Sequence, residues 1–173
     1  MNLNHNQILL KMLKTGDILH CSGKRIVPRL IKAFTRSPFS HSALFIEIWG
    51  QPYIIDAQKD GVNVRPFKEW KAKYNYDYII HRNISDYDQK ELAKKALSKV
   101  GLTAYDFESL IFRQPFELMT GKWNVRKDEQ TKMYCSEFVA WVWGADASYR
   151  MSPKDLYEWC LVNNFVEKKE TEI

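Results

Sequence analysis

The rhythm of apolar and polar residues changes character twice along this chain of 173 residues. Asn6 to Leu13 suits a short helix. Thr15-Gly16-Asp17 turns the chain into a first strand, Ile18 to Cys21, which Ser22-Gly23 breaks. A helix is predicted over Ile26 to Thr35, with Pro28 in its first turn and an apolar face of Ile26, Leu30 and Phe34. Short apolar blocks then recur at His41 to Trp49, Tyr53 to Ala57, Val62 to Arg65 and Tyr76 to His81. Gly50-Gln51-Pro52 and Lys59-Asp60-Gly61 supply turns, and Phe67 to Lys73 suits a short helix. This spacing predicts a small antiparallel sheet or barrel whose strands follow one another as a meander.

After His81 the period becomes helical. Ser85-Asp86 opens a helix from about Tyr87 to Val100, with Leu92, Ala96 and Val100 inward and Gly101 at its end. Tyr105 to Phe112 suits a continuation. Arg113 to Thr131 is polar and irregular, and reads as a loop or flap. A helix then runs from Cys135 to about Gly144. Ser152-Pro153 starts the last helix, with serine at the cap and proline at its first position. Glu167 to Ile173 reads as a charged tail. No repeat or linker divides the chain, so a single α+β domain over residues 1–173 is expected, with the sheet packed against helices.

Composition narrows this further. Hydrophobic residues at 45% and aromatics at 14% exclude a disordered chain. A net charge of +5 favours acidic partners without naming one. The N-terminus lacks the parts of a signal peptide, and no run reaches the length of a membrane span. A cytoplasmic protein is expected, with packaging in a phage particle or non-classical export as the other routes. Three cysteines, with no closely spaced pair, do not make a disulfide framework. No Cys/His pair has the usual zinc spacing, so no metal or cofactor is expected.

The chemistry centres on Cys135. It stands where a helix begins, and the positive end of that helix favours a thiolate. Cys21 and Cys160 read as structural thiols. Of the four histidines, His5 lies in the terminal segment, His20 sits within the first strand and His81 reads as exposed at a strand end. His41 opens a strongly apolar strand and can face a cleft. A hairpin through Gly50-Gln51-Pro52 returns Asp56 beside it, as the orienter a general base needs. Glu47, farther along His41's own strand, is the weaker candidate. Tyr134 belongs either to the core or to the substrate cleft beside the thiol. Trp141 and Trp143 face different sides of their helix, one toward the core and one toward the cleft edge. Arg25, Arg29, Lys32 and Arg36 make a basic stripe, which is either a solvated helix face or a site for an anionic ligand.

Five short motifs occur in a telling order: Gly16-Asp17-Ile18, Ser40 to Leu44, Ile54 to Ala57, Tyr134 to Val139 and Ser152 to Leu156. Together they resemble the YiiX/YebB-like, circularly permuted branch of the NlpC-type papain-like cysteine hydrolases, relatives of lecithin retinol acyltransferase-like enzymes. The resemblance covers roughly Lys14 to Trp159. It implies Cys135 as nucleophile, His41 as base and the backbone N–H of Cys135 as part of an oxyanion hole. Asp56 falls where the family more often has glutamate or histidine.

The expected activity is that of a cysteine amidase or peptidase working through a thioester acyl-enzyme, on peptide or peptidoglycan-type amides. A lipid-directed thiol acyltransferase or esterase and a catalytically inactive binding module are the alternatives. Specific nucleic-acid binding is not expected.

Overall fold

In the computed structural model, residues 13–102, 133–146, 148 and 151–168 are described. The segments read above as an N-terminal helix, the continuation from Tyr105 and the Arg113 to Thr131 flap lie outside these residues, apart from Leu13. Strands are β1 (Ile18–Ser22), β2 (His41–Ile48), β3 (Gln51–Gln58), β4 (Gly61–Pro66), β5 (Asp77–Asn83) and β6 (Phe165–Lys168). Helices are α1 (Ile26–Thr35), α2 (Phe67–Tyr74), α3 (Gln89–Leu97), α4 (Cys135–Trp143) and α5 (Pro153–Val162).

The six strands form one open antiparallel sheet in the order β4-β3-β2-β1-β5-β6. The meander expected from the spacing holds only for β1 to β4. β5 returns to the free side of β1, and Ile18 pairs with both Leu44 and His81. β6 then pairs with β5, so Glu167 and Lys168 belong to a strand and not to a tail. The sheet does not close into a barrel.

Alternation along the strands gives the sheet two apolar faces. Ile18, Leu44, Ile46, Ile55 and Ala57 pack with Phe138, Val139 and Leu156 from α4 and α5. Leu19, Cys21, Ala43, Phe45 and Ile54 pack with Phe67 and Trp70 of α2. α3 adds Leu92 and Ala96 to the first core, with Val100 beside them. Its cap is Asp88, whose carboxylate accepts from Lys90 N and Glu91 N, two residues later than the expected start. α5 has the expected serine cap and first-position proline.

Two contacts fix the entry to β1. Asp17 is fully buried and accepts from Arg82 Nε at 2.8 Å and Nη2 at 2.6 Å, tying β1 to β5. Gly16 has φ +101°, and a Cβ there would lie 2.9 Å from both Trp143 Cζ2 and the Tyr87 hydroxyl. Only glycine fits that crossing.

α1 turns a different face inward from the one expected. Ile26 is 76% exposed and Leu30 47%, while Ile31 and Thr35 are buried. Ile31 packs on Tyr134, and the Thr35 hydroxyl donates to Ile31 O. Apolar residues lie on neighbouring sides of this helix, so periodicity alone did not choose between adjacent stripes. The Phe34 side chain is outside the described set.

Candidate active site

β2 and β3 build the first half of the site. Their register pairs Leu44 with Ile55, and continued toward the strand ends it sets Gln58 opposite His41. Asp56 thereby reaches His41, with Oδ2 2.8 Å from Nε2. Both side chains are buried. Glu47 pairs with Pro52 at the other end of the hairpin and is exposed, so it does not meet His41.

Asp56 collects more donors than the sequence suggested. Gln58 Nε2 donates to Oδ2 at 2.6 Å and Trp70 Nε1 to the same oxygen at 2.9 Å. Arg65 Nη1 lies 3.3 Å from Oδ1. Burial pushes the Asp56 pKa up, but the hydrogen bond and charge of His41, then Gln58 and Trp70, outweigh it and hold the carboxyl below its ordinary value. The Gln58 amide also sits 3.1 Å from His41 Nε2. Trp70 and Arg65 came with no sequence signal, because α2 and β4 needed tertiary docking to meet Asp56. Gln58 was legible in principle, one step further along the same hairpin register.

The second half comes from α4. Cys135 is its first residue, with Tyr134 at the cap and Tyr134 N donating to Glu137 Oε2 at 3.3 Å. With Nε2 of His41 committed to Asp56, Nδ1 is left for the thiol. Burial pushes His41 down, but the charge of Cys135 leads the opposing effects, followed by Tyr76 and by hydrogen bonds to Asp56 and Cys135. The net result is a histidine held well above its ordinary value. Tyr76 stacks on the ring, centroids 5.3 Å apart.

Cys21 lies opposite His41 in the β1–β2 register. Burial pushes its pKa up, so it stays a thiol, and its Sγ points to Leu19 O at 3.5 Å. Tyr134 is buried against Ile31, which places α1 next to Cys135. Trp141 and Trp143 sit at the far end of α4. Lys95 and Lys99 lie over Trp141, and Trp143 packs on Tyr87 and Phe165, so neither edges the cleft. Arg25, Arg29 and Arg36 are exposed on α1, and Lys32 Nζ donates to Ser22 Oγ. His81 is buried, contrary to the expected exposed position, because β6 and α5 cover the outer side of β5.

The family model described as "Permuted papain-like amidase enzyme, YaeF/YiiX, C92 family" matches residues 12–170. The chain belongs to that family. It therefore has a permuted papain-like fold, in which the strand opened by His41 precedes the helix that begins at Cys135. A similar solved structure is titled "Crystal structure of metalloprotein yiiX from Escherichia coli O157:H7, DUF1105". It is 25% identical with a TM-score of 0.57, and the alignment covers 75% of this chain and 64% of that one. No curated protein matches the chain. No helix among the described residues is long and apolar enough to cross a membrane.

Proposed function

We propose that the enzyme cleaves amide bonds of peptides or peptidoglycan stem peptides through Cys135, His41 and Asp56. The observation that carries this reading is the His41–Asp56 contact at 2.8 Å, with the imidazole's other nitrogen left for a thiol at a helix N-terminus. His41 takes the Cys135 proton and Asp56 steadies the imidazolium. The thiolate attacks the amide carbonyl. The developing oxyanion meets the Cys135 backbone N–H, which is free of an intrahelical partner at the first turn. His41 protonates the departing amine, leaving a thioester. Water, deprotonated by His41, releases the acid and restores the thiol. Tyr134 holds α1 beside the cleft through Ile31, and the basic residues of α1 favour an anionic substrate.

A second reading, acyl transfer from a lipid ester, is favoured by one observation. Ile26 and Leu30 are exposed on the same helix as Arg25 and Arg29, a combination suited to an anionic lipid surface. Mass spectrometry of the Cys135 peptide after incubation with stem-peptide fragments or phospholipid vesicles distinguishes the two. A peptide-derived acyl adduct is expected, and a fatty-acyl adduct would transfer the assignment to the second reading. Turnover without any dependence on Cys135 would overturn both.

A further inference from the structure

A second group of cysteine and histidine side chains lies away from Cys135. His20 of β1, His81 of β5 and Cys160 of α5 offer three ligand atoms within 4.8 Å of one another. His81 Nδ1 is 3.1 Å from His20 Nε2, and Cys160 Sγ is 3.8 Å from that same nitrogen. All three residues are buried. Zinc bonds of about 2.0–2.1 Å to nitrogen and 2.3 Å to sulfur place tetrahedral ligand atoms roughly 3.3–3.8 Å apart. The two measured separations bracket that range.

Hydrogen bonding alone accounts poorly for the arrangement. His20 Nε2 has a single N–H or a single lone pair, yet both other groups converge on it. A buried nitrogen approached by two groups leaves one of them short of a partner, which is costly. One cation at the centre would let each of the three groups use its own lone pair. We propose that His20, His81 and Cys160 bind one thiophilic metal ion, zinc(II) or copper(I).

Several features suit such a ligand set. The two imidazoles and the thiol are fully or almost fully buried and converge from three separate elements. Phe39 and Tyr157 pack around the rings, with Tyr157 stacked 5.1 Å from His81 and Phe39 5.4 Å from His20. An apolar shell of this kind limits water. Glu167 lies opposite His81 in the β5–β6 register, and its charge acts on that ring. Binding converts the Cys160 thiol to a metal-bound thiolate and releases its proton to solvent. One thiolate neutralises copper(I). Zinc(II) keeps one positive charge and calls for a fourth ligand, such as water.

The site joins three elements, β1, β5 and α5, so the ion clamps the C-terminal helix to the sheet. Spacing rules missed it because the ligands are single residues far apart in sequence.

The test uses the full chain, stripped with a chelator under reducing conditions and titrated separately with cobalt(II), as a stand-in for zinc, and with copper(I). One equivalent should bind with a thiolate-to-metal charge-transfer band, and zinc(II) or copper(I) should raise the unfolding temperature by several degrees. Cys160→Ser and His81→Gln should each lose the band, while Cys135→Ala keeps it. X-ray absorption of the loaded wild-type chain should give one sulfur and two nitrogen neighbours, with one further light atom for zinc(II), a readout independent of any variant's folding. Which of zinc(II) and copper(I) displaces the other names the ion. No band with either metal, a band that survives Cys160→Ser or disappears in Cys135→Ala, or a shell without sulfur would overturn the proposal.

Discussion

β1 and its neighbours carry two cysteine–histidine neighbourhoods on opposite faces of the sheet. On the face packed by α2 His41 meets Asp56, and Cys135 reaches the imidazole from the start of α4, a helix packed on the other face. On the other, His20 meets His81 and Cys160. All of these side chains are buried, so burial does not distinguish the two sites. The partners do. The charge of Cys135, then Tyr76 and the hydrogen bond to Asp56, lift His41 well above the ordinary histidine value, whereas His20 meets no carboxylate among the described residues and burial, then His81, drives it well below. Similar residue types therefore meet opposite electrostatic surroundings on the two faces.

The strongest way to break the contrast is to remove the reacting pair. Cys135→Ala or His41→Ala should lower amide turnover by roughly 10⁴-fold or more, with unfolding midpoints close to wild type. Substantial turnover in either variant would return the two sites to the same structural class.

Removing only the carboxylate's charge sharpens it. Asp56→Asn should lower kcat by roughly 10³–10⁴-fold, leaving measurable activity. The alkaline limb of kcat/KM in the wild type should lie above the ordinary histidine value and shift downward in this variant. Stability should respond with matching signs. The raised His41 contributes stability below its ordinary value that is lost as pH rises through the raised one. The depressed Asp56 contributes stability above the ordinary carboxylate value that is lost as pH falls through the depressed one. Denaturation midpoints across pH, compared between wild type and Asp56→Asn, check both limbs.

The smallest expected effect is on the supports. Trp70→Phe removes one donor from Asp56 and should cost about 1–3 kcal/mol by chemical denaturation. Turnover should fall less than tenfold, because Gln58 and Arg65 still hold the carboxylate. A loss as large as that of Asp56→Asn would assign Trp70 a larger part in positioning the base.

Much of the His41–Asp56 arrangement was legible because it is local. His41 and Asp56 lie on adjoining strands of one hairpin, and alternation plus turn chemistry sets their approach. The thiol was legible from the helix that follows it. The second face was not, because His20, His81 and Cys160 meet only through the β1–β5 pairing and the docking of α5. β5 was misplaced for the same reason. Spacing indicated a strand but not its neighbour. α1 was misjudged because its apolar residues lie on adjacent sides, and only the contact with Tyr134 selects Ile31.

The order of the elements has a consequence during synthesis. His41 and Asp56 are made early, while Cys135 is made 94 residues after His41. At about 5–20 residues per second, roughly 5–20 s separate their appearance. Throughout that interval the growing chain carries His41 and Asp56 without Cys135. The last strand to join the sheet, at its β6 edge, is made later still. On the proposed roles, the reacting pair cannot meet in a ribosome-bound chain before α4 has emerged. The permuted order thereby sets the earliest moment at which the two halves come together.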